Sequence, residues 1–249
     1  MIAIWAIVSV VLVSMISLLG AIFISLKRKL LEGVITYSLA LSSGVLLGSA
    51  FLQLLPESVE LLGSGAFSLV LAGMVTFFCL EKLIHWHHHV EGDEHQEDEK
   101  PVAYLTLIGD AIHNFADGAV IGAAYLVSIP LGITTTLAVI AHEIPHELSD
   151  FLILIHGGFS NRRALKYNFL SATTAIAGTL LVLFMSAQSE NIERYLVPFA
   201  TGNFIYIAAS DLIPELLKKR KGISSIIQIL LLIVGIFLVT VIASVMGSA

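Results

Sequence analysis

Polar and apolar positions alternate along this chain in blocks, not residue by residue. Residues 2–26, 34–55 and 223–246 contain no charged side chain, and five further apolar blocks lie between them. Each block reaches the roughly 20 residues that a helix needs to cross a hydrocarbon core. Period-2 patterning is absent, and backbone groups in lipid must be satisfied within their own segment, so the blocks are predicted to be helices. The pattern predicts eight spans: 2–26, 34–55, 64–84, 102–127, 130–156, 166–187, 195–217 and 222–246.

Composition agrees. The 249 residues are 57% hydrophobic and 13% charged, against about 25% charged in a soluble domain. The expected class is an all-α polytopic membrane protein, one transmembrane domain over 1–249, with the lipid bilayer as its solvent. The first block lacks a basic n-region and is followed by Lys27-Arg28-Lys29. It reads as a retained first span, not as a signal peptide.

Charge placement orients the spans. Twelve of the thirteen Lys and Arg residues fall after spans one, three, five and seven, and only Arg194 falls on the other side. The positive-inside tendency makes the basic side the cytoplasm and puts both termini outside, in a multi-pass protein of the cell membrane. Nothing in this distribution calls for a nucleic-acid partner. The stretch 85–100, HWHHHVEGDEHQEDEK, holds five His and six acids. It is expected to be a solvated cytoplasmic loop that could capture metal weakly.

A gapless internal match joins GVLLGSAFLQLLPE (44–57) to GNFIYIAASDLIPE (202–215). Gly44/Gly202, Ala50/Ala208, Leu54/Leu212, Pro56/Pro214 and Glu57/Glu215 coincide. Span two runs outward and span seven inward, so the match implies an inverted repeat: three spans, two central spans, three spans.

The chemistry sits in the two central spans. Ionisable groups inside a span cost roughly 2.5–3.5 kcal/mol each on insertion scales. Span four nevertheless carries Asp110, His113, Asn114 and Asp117, and span five carries His142, Glu143, His146, Glu147 and Asp150. Both sets fall near mid-membrane. The chain's one cysteine, Cys79, leaves His, Asp, Glu and Asn as ligands. His113/Asp117 and His142/His146 are i, i+4 pairs, each on one helical face. The expected register is His113/His142, Asn114/Glu143 and Asp117/His146. It would close a tetrahedral site from His113, Asp117, His142 and His146, with Asn114 and Glu143 building an adjoining second site. Pro145 should free the carbonyl of Ala141, giving a kink or an extra oxygen ligand. Asp110, Asp150 and His156 form a stripe toward the cytoplasm and are expected to line an exit.

HNFADG (113–118) and HEIPHELSDF (142–151) resemble the fourth- and fifth-helix motifs of the ZIP family of zinc- and iron-regulated transporter-like proteins, in its subfamily with His-rich loops. The resemblance covers the whole chain. It implies a 3+2+3 bundle with a binuclear metal centre between helices four and five, and transport of metal toward the cytoplasm. It also implies central helices that slide against a dimerisation scaffold, hence a homodimer. Zn2+ is the expected substrate, with Fe2+, Mn2+ and Cd2+ compatible with the same N/O donors. Gln53 stands where related sequences often have His, which leaves Asn168 and Ser171 of span six as candidates for a remaining contact.

Three rivals share parts of this pattern. HEIPH is formally H-E-x-x-H, the metalloprotease motif with Glu143 as general base. Pro145 between the two His, and a second ligand-bearing helix, argue against hydrolysis. A six-span zinc exporter does not fit eight spans. A membrane metal sensor would need an output domain.

Overall fold

The computed structural model describes residues 1–20, 28–86, 99–218 and 223–247. Every regular element among them is a helix. They form eight segments: α1 (Ile2–Leu19), α2 (28–62), α3 (Gly65–Trp86), α4 (Glu99–Val127), α5 (Ile129–His156), α6 (Asn161–Gln188), α7 (Glu193–Lys218) and α8 (Ile223–Gly247). Most of the His-rich stretch, residues 87–98, lies outside the described residues.

Six of the eight segments (α1, α2, α3, α6, α7 and α8) are apolar and long enough to cross a membrane. The other two, α4 and α5, carry the ionisable cluster. They are 29 and 28 residues long, about 42–44 Å at 1.5 Å per residue. Their acids turn inward: Asp110, Asp117, Glu143, Glu147 and Asp150 are all buried. The outside of the bundle is apolar instead, with Ile4, Leu71, Phe184 and Phe237 exposed on four different helices. A polytopic membrane protein is the architecture these surfaces require.

The repeat is visible in the packing. α8 lies along α2, and α3 lies along α7. Exchanging α2 with α7 and α3 with α8 turns the first pair into the second. Both pairs are closed by reciprocal glycines. Gly44 meets the Leu232 carbonyl and Gly235 the Leu41 carbonyl; Gly73 meets the Phe199 carbonyl and Gly202 the Val70 carbonyl. No Cβ fits at any of the four, which lets the backbones approach as small residues do in membrane helix pairs.

The two halves share a second feature. α2 winds as a π turn over Ala50–Leu54, and α7 over Ile207–Leu212. Pro56 and Pro214 follow each turn at the same repeat position. A prolyl ring has no N–H and clashes with the carbonyl four residues back, here Leu52 and Ser210. Widening the preceding turn relieves that clash while the helix continues. Hence α2 runs on to residue 62, past the end at 55 that the apolar block suggested.

α4 and α5 form a tight antiparallel hairpin. Only Ser128 separates them, and its Oγ caps α5 by accepting from the Leu131 N–H at 3.2 Å. α6 holds α4 in place: Thr174 and Thr179 donate to the carbonyls of Ala111 and Gly118 at 2.6 and 2.7 Å.

Candidate metal centre

The hairpin sets the register of the site. In antiparallel helices one number rises as the other falls. His113 is level with His142, so the next turn toward the basic end pairs Asp110 with His146. The expected pairing of Asp117 with His146 runs the wrong way along α5 and is corrected here.

The first group is therefore His113, Asp117, His142 and Glu143, whose donor atoms all lie within 4.8 Å of one another. The two Nε2 atoms are 3.2 Å apart. His113 Nε2 is 3.6 Å from Asp117 Oδ2 and 3.2 Å from Glu143 Oε1; His142 Nε2 is 2.8 and 3.5 Å from the same two oxygens. Donors held at about 2.0–2.1 Å around a tetrahedral ion stand about 3.3–3.4 Å apart. The five measured edges bracket that value.

Two further observations fit a cation. His142 Nδ1 lies 3.1 Å from the Ala138 carbonyl of its own helix. That bond makes Nδ1 the donor and leaves the Nε2 lone pair facing the group, which is how metal-binding imidazoles are usually oriented. The oxygens of Asp117 and Glu143 are buried and accept no well-formed hydrogen bond. Buried carboxylates without partners are unstable in a low dielectric unless a positive charge answers them.

A second group lies one turn toward the basic end: Asp110, His146 and Asp150, also within 4.8 Å of one another. The His146 ring stacks on His113 with centroids 4.7 Å apart and planes 6° from parallel. Its Nδ1 is 3.5 Å from Asp150 Oδ2. Glu143 thus takes the place expected for His146 in the first group, and His146 belongs to the second.

Asn114 makes its hydrogen bond to Asp110 instead of joining Glu143. Its amide donates to Asp110 Oδ1 at 2.8 Å, and its own Oδ1 is buried without a partner. The two span-six candidates act on carboxylates too. Ser171 donates to Asp110, and Asn168 donates to Glu147. Gln53 turns away and donates to the Val239 carbonyl of α8 at 3.3 Å.

Pro145 breaks neither α5 nor its hydrogen-bond accounting. The helix is continuous from Ile129 to His156. The Ala141 carbonyl accepts from Ser42 Oγ of α2 at 2.5 Å, so it is not a spare metal ligand. Ser42→Ala should orphan that carbonyl beside His142 and cost about 1–3 kcal/mol. A drop in melting temperature of several degrees in detergent checks it; an unchanged melt would mean that another group takes over.

A cavity of about 340 Å³ leads from the two groups toward the basic end, lined by Glu81, Asp110, His113, His146, Asp150 and Asp211 among others. Asp110 and Asp150 lie where the stripe placed them. His156 does not line it; its Nδ1 turns back to the Leu152 carbonyl at 2.7 Å. Glu81, Tyr206 and Asp211, from α3 and α7, were not legible as site residues. Tyr206 donates to Glu81 at 2.5 Å. Only the packing of α3 and α7 beside α4 brings them to this cavity.

The family model described as ZIP zinc transporter matches residues 2–103 and 87–243. The zinc transporter zipt-7.2 of Caenorhabditis elegans is 32% identical over 265 aligned residues, covering 82% of this chain and 57% of its own. Zinc transporter ZIP13 of Pongo abelii is 37% identical over 219 residues, covering 80% and 63%. Zinc transporter ZIP4 of Homo sapiens is 48% identical over 117 residues, covering 47% and 18%. The chain thus spans less than two thirds of these relatives. Eight helices in an inverted repeat, a His–carboxylate centre on the central pair and a family match over nearly its whole length lead to one conclusion: the chain belongs to the ZIP zinc transporter family.

Proposed function

We propose that this protein carries divalent cations, zinc foremost, across the membrane into the cytoplasm through the α4–α5 centre. The observation that carries the reading is the first group: two imidazole nitrogens and two carboxylates from two helices, spaced like the edges of a tetrahedron and otherwise unpartnered. The relatives are named as zinc transporters, which supports zinc as the substrate. The same N/O donors accept Fe2+, Mn2+ and Cd2+, and affinity order alone does not choose among them.

The second group supports a binuclear centre, with Asp110, His146 and Asp150 receiving the ion on its way into the acidic cavity. The basic flanks put that cavity on the cytoplasmic side. A homodimeric scaffold is proposed from the family resemblance alone. Hydrolysis fits poorly: in H-E-x-x-H both His hold one metal, whereas His142 and His146 here face different groups.

Purified protein in liposomes with a trapped zinc indicator should take up external zinc, and competition with Fe2+, Mn2+ and Cd2+ would rank the substrates. Absence of flux in any orientation would retire transport. Calorimetric titration should give two zinc ions per chain, falling to one in Asp150→Ala. A stoichiometry unchanged by that substitution would sink the second site.

A further inference from the structure

The cavity serves the basic side of the centre; from the level of the centre outward, three helices bury polar atoms that have no hydrogen-bond partner. Asn203 of α7 is fully buried, and neither its amide nitrogen nor its amide oxygen has a partner. Ser49 of α2 and Thr135 of α5 are fully buried, and their hydroxyls are unpartnered as well. Buried polar groups are satisfied in the great majority of cases. Three such residues on three neighbouring helices call for an explanation.

Their depths order them. The ring of Phe204 packs against His142, with centroids 6.2 Å apart, so Asn203 lies at the level of the first group. Thr135 is seven residues outward of His142 on α5. Ser49 is seven residues outward of Ser42, which bonds the Ala141 carbonyl beside His142. Seven residues are about 10 Å of helix. Asn203 also borders a second cavity of about 200 Å³ between α3, α4 and α7, which shares Phe77, Leu80 and Ile112 with the cavity on the basic side.

We propose that Asn203, Thr135 and Ser49 are the outer path of the substrate: neutral oxygens that replace part of the hydration shell of a divalent cation when the outer half of the seam opens. This rests on the transport reading above. Neutral donors suit the role. A conducting path must bind well enough to admit the ion and weakly enough to release it. Carboxylates at these depths would hold the ion short of the centre, where the imidazoles and acids lie. Three buried groups without a partner are the form such a path takes while it is shut.

The proposal separates function from structure by sign. Removing a polar group that holds the fold together lowers both stability and flux. Removing an orphaned one raises stability, because its desolvation is no longer uncompensated. Thr135→Val keeps nearly the same volume, and Asn203→Leu keeps the branched shape with larger methyl groups that the adjoining cavity of about 200 Å³ can take up. Each should raise the melting temperature by about 2–4 °C and lower the initial rate of zinc uptake into liposomes at least about tenfold. Asn203→Ser should restore the rate to within about threefold, and zinc binding to the centre, titrated in detergent, should be unchanged in all three. Asn203→Asp should lower the KM for zinc and the maximal rate together, since the path then traps the ion.

Wild-type rates in Asn203→Leu and Thr135→Val would overturn the proposal, as would a lowered melting temperature in both. Should Asn203→Leu not fold, Thr135→Val and Ser49→Ala carry the same test. If the wild-type protein itself moves no zinc, the transport reading fails, an outcome distinct from a wild type that transports and variants that match it.

Discussion

His142→Ala is expected to lower zinc uptake more than about 100-fold and to abolish zinc binding at the first group. No other side chain is engaged so completely there. It is fully buried, its Nδ1 is fixed by the Ala138 carbonyl, and its Nε2 faces His113, Asp117 and Glu143 at 2.8–3.5 Å. Loss of the ring removes one of four ligands and leaves two buried carboxylates facing a single imidazole. A factor of 100 corresponds to about 2.8 kcal/mol, comparable to a quarter share of the roughly 10–16 kcal/mol with which a closed four-ligand site holds zinc. His146→Ala should lose less, about tenfold, because it removes a ligand only from the second group. The measurement is the initial rate in liposomes beside a direct titration of zinc. If His142→Ala transported within threefold of wild type, the first group could not be where the ion binds.

Gly118→Ala should be nearly as damaging, though it removes no ligand. A Cβ at Gly118 would fall on the carbonyl of Ala175 in α6, and Gly178 is pressed in the same way against the Phe115 carbonyl of α4. Both neighbours are backbone and cannot rotate aside. α4 must therefore move away from α6, carrying Asp117 out of the first group and breaking the Thr179 bond to the Gly118 carbonyl. Overpacking of this kind costs typically 1–3 kcal/mol and more when backbone is the obstacle. Zinc affinity should fall at least about tenfold along with the melting temperature. Gly122→Ala is the control one turn on. Its added Cβ would stand 3.2 Å from the Val182 Cβ and 3.4 Å from the Thr179 Cα, against 1.8 Å from the Ala175 carbonyl oxygen at Gly118; α6 need give only a few tenths of an ångström, so affinity should stay within about twofold. Equal losses in both variants would show that general loosening, not displacement of Asp117, is at work.

The helices of the candidate centre were legible because the membrane makes ionisable side chains conspicuous. Nine polar residues on two apolar segments at equal depth mark a site without any knowledge of packing. The inverted repeat was legible from five identities, and the paired π turns give those identities a physical cause in Pro56 and Pro214. What escaped depended on relations between segments. The register of α4 against α5 follows from a one-residue connection at Ser128, and pairing the motifs in reading order reversed it. Ser42 meets the Ala141 carbonyl only because α2 packs on α5. Glu81 and Asp211 reach the cavity by the same kind of long-range contact, which periodicity along a single helix does not encode.

The first group has one further consequence. Two of its donors belong to α4 and two to α5, so an ion held there would be a rivet through a seam between two rods. Its grip depends on the alignment of the rods more than on any rotamer. A slip of 1–2 Å along the seam would stretch the 2.8–3.6 Å edges beyond what one ion can bridge, with every side chain still in its well. Affinity at such a site would be a mechanical quantity, tuned by the fit of α4 against α6 and of α5 against α2. Selection for tighter or looser metal retention could therefore act on glycines and serines far from the metal, leaving all four donors untouched.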